Sequence, residues 1–315
     1  MKKVLVTGGA GFIGANAARA FLAPGYETHV LERAGCDLWR LEDIKEKVGI
    51  HVVDITKHEE LESFIASLKP DIILHFASYG ANLRTQQDIE QTIDANLLGT
   101  INLLRACSAV GFEALIHTGS SSEYGIKEIP MKETDLLEAH NLYGMTKAAA
   151  TLYCQSAAKK QGLPIAVMRP FAVYGPFEEQ TRLIPTLIMS YLKGESPKLS
   201  SPGSVRDFVF VEDLVSSYEA AVGRIQEVKG EIFNVGSGME YNVGKVAGMV
   251  KQIVGSELEP EYGQVKPNQE EPSHWVADIT KAKELLGWEP RYTFEKGLEK
   301  TVAWFRELDH KELYG

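Results

Sequence analysis

Thr7-Gly8-Gly9-Ala10-Gly11-Phe12-Ile13-Gly14 is the stretch whose reading decides the fold. It follows the short apolar run Val4-Leu5-Val6, and a helical pattern runs on from Gly14 to Leu22. Glycines alone mark ordinary turns. Between a strand and a helix, at this spacing, they form a dinucleotide-binding turn. Gly8 makes the tight turn, Gly11 admits a pyrophosphate close to the backbone, and Gly14 lets the helix pack on the strand. Free N–H groups and the helix dipole then favour phosphate charge.

Working outward, strand and helix patterns alternate. Residues 28–31, 50–53, 71–76, 114–117 and 165–168 read as strands. Helical patterns cover 59–68, closed by Pro70, a long stretch 89–110 with Ile93, Leu97, Ile101 and Leu104 on one face, and 142–160. Such alternation predicts an α/β chain with a doubly wound parallel sheet, the Rossmann fold. After Pro170 the texture changes, with Pro176, Pro185, Pro197, Pro202 and Gly203 close together. Helices are expected at 183–192, 214–222, 243–254, 280–286 and 294–305, and short strands at 207–211 and 231–235. The expected division is a dinucleotide-binding domain over 1–170, to which strands from about 205–235 return. A smaller, mainly substrate-binding C-terminal lobe covers 171–315.

An acidic residue at the end of the second strand would accept both hydroxyls of an adenosine ribose. Glu32 stands there, 18 residues after Gly14, beside Arg33, which could neutralise a 2′-phosphate instead. Glu32 argues for NAD and Arg33 for NADP; NAD is slightly preferred. Asp54 and Ile55, after the third strand, either border the adenine or form a plain helix N-cap region.

Composition narrows the partners. The chain has 315 residues, 44% hydrophobic and 24% charged, the profile of a globular enzyme. A net charge of -10 argues against nucleic acid, whose phosphates are bound by Lys and Arg. Cys36, Cys107 and Cys154 are scattered, without metal-ligand or disulfide spacing, so a reducing compartment and no metal are expected. The apolar start is too short for a signal segment, and no run approaches a membrane span. The expected location is the cytoplasm.

Tyr143 and Lys147 are four residues apart in one helical pattern and so share a face. An ammonium beside a phenol stabilises the phenolate, giving a base that works near neutrality. The segment Thr118-Gly119-Ser120-Ser121-Ser122-Glu123-Tyr124-Gly125 sets several hydroxyls just after the fifth strand, where a substrate would lie. Either motif alone could be surface chemistry or a serine-rich loop.

Together with His75-Phe76-Ala77-Ser78, Asn96, Arg169-Pro170-Phe171-Ala172-Val173-Tyr174-Gly175-Pro176, Arg206-Asp207-Phe208-Val209-Phe210-Val211-Glu212-Asp213, Phe233-Asn234-Val235-Gly236 and Leu286-Gly287-Trp288-Glu289-Pro290, these motifs carry a resemblance over essentially the whole chain. The sequence resembles the extended short-chain dehydrogenase/reductases, in the group of nucleotide-sugar epimerases, dehydratases and 4-ketoreductases. The resemblance implies Tyr143 as acid/base, Lys147 as its activator and ribose ligand, and Ser120 or Ser121 as the third member. It implies further cofactor contacts from Phe12, Ile13, Phe76, Ala77, Ser78, Asn96, Thr118, Pro170 and Val173. Substrate contacts would come from Tyr79, Ser122, Arg182 and Arg206, the last gripping a diphosphate. Dimerisation through the two long helices is also implied.

Three departures qualify it. The acid that family dehydratases carry two residues before the Tyr-Gly is Ser122 here, with Glu123 one place off. Ala172 replaces a frequent Asn. The late phosphate-binding Arg is missing from 264–278, which holds Lys266 and His274 instead. The function expected is NAD(P)-dependent hydride transfer at C4 of a nucleoside-diphosphate hexose, as an epimerase or a 4-ketoreductase. The segment Ala77–Asn82, similar to bacterial 4-ketoreductases of dideoxyhexose synthesis, leans to reduction. The alternatives are 4,6-dehydration and a non-catalytic dinucleotide sensor.

Overall fold

The computed structural model describes residues 1–82, 87–266 and 272–308. Strands β1 (Lys2–Thr7), β2 (Tyr26–Glu32), β3 (Gly49–Val52), β4 (Ile72–His75), β5 (Ala114–Thr118), β6 (Ile165–Pro170) and β10 (Ile232–Val235) form one sheet, ordered β10-β6-β5-β4-β1-β2-β3. Every pairing in it is parallel. The chain steps outward from β1 to β3, then crosses back to β4 beside β1. That reversal opens a crevice at the C-terminal strand ends, where such sheets bind ligands.

Alternate side chains of the central strands fill two different cores. Val4, Val6, Ile72, Leu74, Ala114 and Ile116 pack under α1 (Phe12–Ala20) and α7 (Val211–Gly223). Leu5, Ile73 and Leu115 pack under α2 (His58–Leu68), α4 (Gly99–Val110) and α5 (Leu142–Gln161). Burial on both faces explains why these strands read as unbroken apolar runs rather than alternating ones.

Of the strands over 205–235, β10 lies in the main sheet. β8 (Val205–Arg206) pairs antiparallel with β11 (Tyr241–Asn242), and β9 (Phe208–Phe210) pairs with β7 (Ala172–Tyr174), both away from that sheet. Val211, expected to end a strand, opens α7. With α6 (Leu183–Leu192), α8 (Val243–Val254) and α9 (Phe294–Glu307), these strands enclose a separate core of Ile184, Leu187, Tyr174, Phe210, Val246 and Leu298.

The long helix expected over 89–110 is interrupted. α3 (Ile89–Ile93) leads into a π-helical turn, Asp94–Leu98, before α4. The inward face is Thr92, Asn96, Thr100, Leu103, Leu104 and Cys107, while Ile93 and Leu98 are exposed. Of the expected apolar face Leu104 is buried, Leu97 and Ile101 are half-buried and Ile93 is exposed, because polar residues on the first two turns are drawn in instead. Ile89, Met145 and Leu152 add to the exposed apolar surface on these helices and the adjoining α5. Among the described residues no helix is long and apolar enough to cross a membrane.

Candidate active site

The glycine turn is built as a cradle. Gly8 sits at φ +70°, where a Cβ would lie 2.6 Å from the Ala77 nitrogen, so β1 and β4 meet backbone to backbone there. A Cβ on Gly14 would lie 2.1 Å from the Gly8 oxygen, so only glycine lets α1 start this close to the turn. α1 has Gly11 as its N-cap with no side-chain cap, which leaves its first N–H groups to the cleft.

Glu32 ends β2 inside the cleft, its Oε1 accepting the Ala10 N–H at 2.5 Å. Burial raises its carboxyl above the usual range, opposed by that hydrogen bond, by the Cys36 thiol and by Arg33. Arg33 itself is exposed on the rim. Asp54 and Ile55 also line the cleft, but Asp54 Oδ1 is engaged by the Thr56 N–H and hydroxyl, at 2.9 and 2.8 Å. A carboxylate at the ribose position, a backbone cradle and an uncapped helix end together fit a dinucleotide. The cleft holds about 1850 Å³, well beyond the roughly 300–1,000 Å³ of a single small-ligand pocket, so it has room for a second ligand.

Gly8, Gly11, Phe12, Ile13, Gly14, Phe76, Ala77, Ser78, Thr118, Ser120, Tyr143, Lys147, Pro170 and Val173 line this cleft. So do Tyr79, Ser121, Ser122, Arg182 and Arg206. Asn96 does not. It is fully buried, with Oδ1 accepting the Tyr79 N–H and Nδ2 donating to Tyr79 O and Thr146 Oγ1, at 2.8, 2.8 and 3.0 Å. Its expected place as a cofactor contact is thus corrected: the amide is spent on holding the wall that carries Tyr79.

The serine segment leaves β5 through a single 3₁₀ turn, Ser121–Glu123. Ser120 Oγ accepts the Ser122 N–H at 3.1 Å, and Glu123 Oε1 accepts the Ser120 N–H at 2.8 Å. The first turn of α5, capped by Asn141 Oδ1 on the Gly144 N–H at 2.8 Å, presses against that segment. A Cβ on Gly144 would fall 2.4 Å from Ser122 O, so glycine sets the approach that brings Tyr143 to the serines.

Ser120 and Ser78 line the cleft together with Tyr143. Burial raises the phenol above its ordinary value, and the strongest opposing charge is Arg182, followed by the two serines. Lys147 is 1% exposed, and burial pushes its ammonium down to about 8 against the pull of Glu123. The geometry separates the two candidate serines. Ser121 Oγ accepts the Trp275 indole N–H at 3.3 Å, whereas Ser120 is the serine that helps hold the Tyr143 phenol down.

Glu123 is turned away from the cleft and fully buried. Its Oε2 accepts Arg169 Nε at 2.7 Å, and Oε1 also accepts the Thr151 hydroxyl at 2.9 Å. Arg169 continues to the Tyr124 hydroxyl at 2.9 Å, which donates to Asn234 Oδ1 at 2.7 Å.

Several lining residues were not singled out from the sequence. Asn82 Nδ2 donates to Glu179 Oε1 and Thr181 Oγ1 at 2.5 and 3.0 Å, and Arg182 donates to Ala81 O at 2.8 Å. These bonds clasp the loop after β4 to the segment before α6. Glu178 lies in the same wall, its carboxyl pushed up to about 8 by burial against the attraction of Arg182. The cue in the sequence was the run Glu178-Glu179 just before Arg182, which has no periodic partner. Trp275 belongs to the segment 264–278, of which residues 267–271 lie outside the described residues.

Comparison with known proteins agrees with this geometry. The chain is 29% identical over 320 residues to UDP-glucuronic acid decarboxylase 1 of Xenopus tropicalis, covering 98% of this chain and 74% of that protein. It is 29% identical over 332 residues to UDP-glucose 4-epimerase of Lactobacillus helveticus, covering 99% of each. UDP-glucuronic acid 4-epimerase from Bacillus cereus, solved with UDP-glucuronic acid and NAD, superposes with a TM-score of 0.87 at 26% identity, covering 96% of this chain and 99% of that one. Residues 4–236 match the sequence pattern of the NAD dependent epimerase/dehydratase family. The chain belongs to that family of enzymes.

Proposed function

We propose that this chain interconverts the C4 epimers of a UDP-hexose or UDP-hexuronate, using NAD that stays bound through the cycle. The observation that carries the reading is that Ser120, Tyr143 and Lys147 line one cleft with the glycine turn. Gly8, Gly11 and the start of α1 would hold the pyrophosphate of NAD, Glu32 its adenosine ribose and Lys147 its other ribose, and the bound nicotinamide would supply reversible hydride acceptance at C4. Tyr143 removes the C4 hydroxyl proton as the carbinol becomes a ketone, and returns it when the opposite face is reduced. Ser120 aligns that oxygen, and Arg206 binds the diphosphate.

Elimination of water needs an acid facing the sugar. Ser122 occupies that position, and the Glu123 carboxylate is committed to Arg169 on the far side. This supports hydride transfer over 4,6-dehydration. Fixed Glu32 supports NAD over NADP, since a 2′-phosphate would meet its charge. Glu32→Ser is expected to shift the NAD-to-NADP affinity ratio at least tenfold towards NADP, because like charges in contact cost several kcal/mol. Titration of each dinucleotide by calorimetry checks it.

The deciding experiment incubates the purified protein with UDP-glucose and UDP-glucuronate, without added cofactor, and follows the sugar by NMR. Appearance of the 4-epimer with no net change in nucleotide absorbance is expected. Stoichiometric consumption of added NADH or NADPH on a 4-keto sugar, without epimerisation, would replace this reading with ketone reduction.

A homodimer through α3, α4 and α5 completes the proposal. Ile89, Ile93, Leu98, Met145 and Leu152 expose apolar surface on these neighbouring helices. Leu152→Glu is expected to convert a dimer of this chain to monomer in light scattering, since it buries a charge at the centre of that face.

A further inference from the structure

The Trp275 indole stands where the nucleotide end of the cleft meets the serine turn. Its Nε1–H donates to Ser121 Oγ, the Arg206 guanidinium lies 5.8 Å from its ring centroid, and its backbone N–H donates to Glu240 Oε1 at 3.1 Å. The segment is pinned two residues further on. Ala277 N–H donates at 3.0 Å to the buried Asp207 carboxylate, which also accepts the Ser237 N–H and hydroxyl and the Gly238 N–H. Asp207 is the neighbour of Arg206, so one carboxylate holds both the indole's segment and the arginine's in register. Trp275, Arg206 and Ser121 all border the cleft.

We propose that Trp275 is a positioning residue that couples diphosphate bound at Arg206 to the catalytic serine turn. The proposal rests on the function proposed above. An indole N–H only donates, so its bond forces Ser121 Oγ to accept and directs the serine's own hydrogen elsewhere. Ser121 and Ser120 share one short turn closed by Glu123, so fixing the first restrains the second, which lines the cleft with Tyr143. Over the ring, away from that N–H edge, lies the Arg206 guanidinium. A diphosphate that draws Arg206 toward itself changes what the ring faces, and the indole N–H carries that change to the turn. In a segment where the resemblance places a phosphate-binding arginine, this chain has a residue that reads the occupied arginine instead.

The test uses Trp275→Phe, Ser121→Ala and the double variant, with UDP and UDP-glucose as probes. UDP is expected to alter tryptophan emission in the parent protein and leave that of Trp275→Phe unchanged. Ser121→Ala is expected to shift emission in the parent background and not in the Trp275→Phe background. Each single variant should lower kcat for UDP-glucose about tenfold with KM within about threefold, and the double variant about tenfold rather than hundredfold, the non-additivity of two residues acting through one bond. Multiplicative losses in kcat, or a UDP-dependent emission change that survives in Trp275→Phe, would overturn the proposal. If the parent protein turns over no UDP-sugar, the function proposed above fails, and the two emission comparisons decide the role of Trp275 by themselves.

Discussion

Tyr143→Phe is expected to lower kcat for 4-epimerisation by about three orders of magnitude, within the range that a positioned acid/base contributes. UDP affinity should stay within about twofold, because the change removes one hydroxyl at the reacting carbon and nothing at Arg206. Ser120 and Ser78 line the cleft beside it, and Arg182 is the charge that most favours its phenolate. The phenylalanine ring keeps the packing of α5 against the serine turn. The lost group is thus the proton carrier alone. Single-turnover measurement of NADH formation from UDP-glucose reads the step directly. A variant with parental turnover would remove Tyr143 from the mechanism.

Glu123→Ala is expected to destabilise the fold by roughly 3–5 kcal/mol, the cost of leaving one member of a buried ion pair uncompensated. Arg169 is 1% exposed, and beyond Glu123 it donates to the Tyr124 hydroxyl. The same carboxylate accepts from the Ser120 N–H and from Thr151, so two further donors lose their acceptor. For a chain of this size the loss corresponds to a fall in melting temperature of about 5–10 °C. Urea unfolding followed by circular dichroism measures it. Unchanged stability would mean that water or another side chain satisfies Arg169.

The sheet was legible because parallel strands covered on both faces must be apolar throughout, and residues 4–6, 72–74 and 114–116 are. The cofactor end was legible because a backbone cradle requires glycine at fixed spacing. Choosing between Ser120 and Ser121 was not possible from the sequence, since the discriminating partners, Tyr143 and Trp275, lie far along the chain. Glu123 looked like a displaced catalytic acid, and only the position of Arg169 on β6 shows where its charge is spent. The first half of the face over residues 89–110 was misread because hydrophobic periodicity assumes that the interior is apolar. Beside a polar site, Thr92, Asn96 and Thr100 were the inward residues.

The π-turn at Asp94–Leu98 has a bearing on how this helix can change over generations. A π-turn holds one residue more than a regular α-turn. Deleting one residue there would restore an uninterrupted helix with α3 and α4 nearly in phase, but would change the angular offset between Asn96 and Thr100. Either Asn96 would leave Tyr79 and Thr146, or Thr100 would leave His75, to which it now bonds at 2.9 Å. Point substitutions along the exposed side are comparatively free, whereas a change of length is not. Drift in this stretch is therefore expected to run through replacement, with gaps confined to the loops on either side.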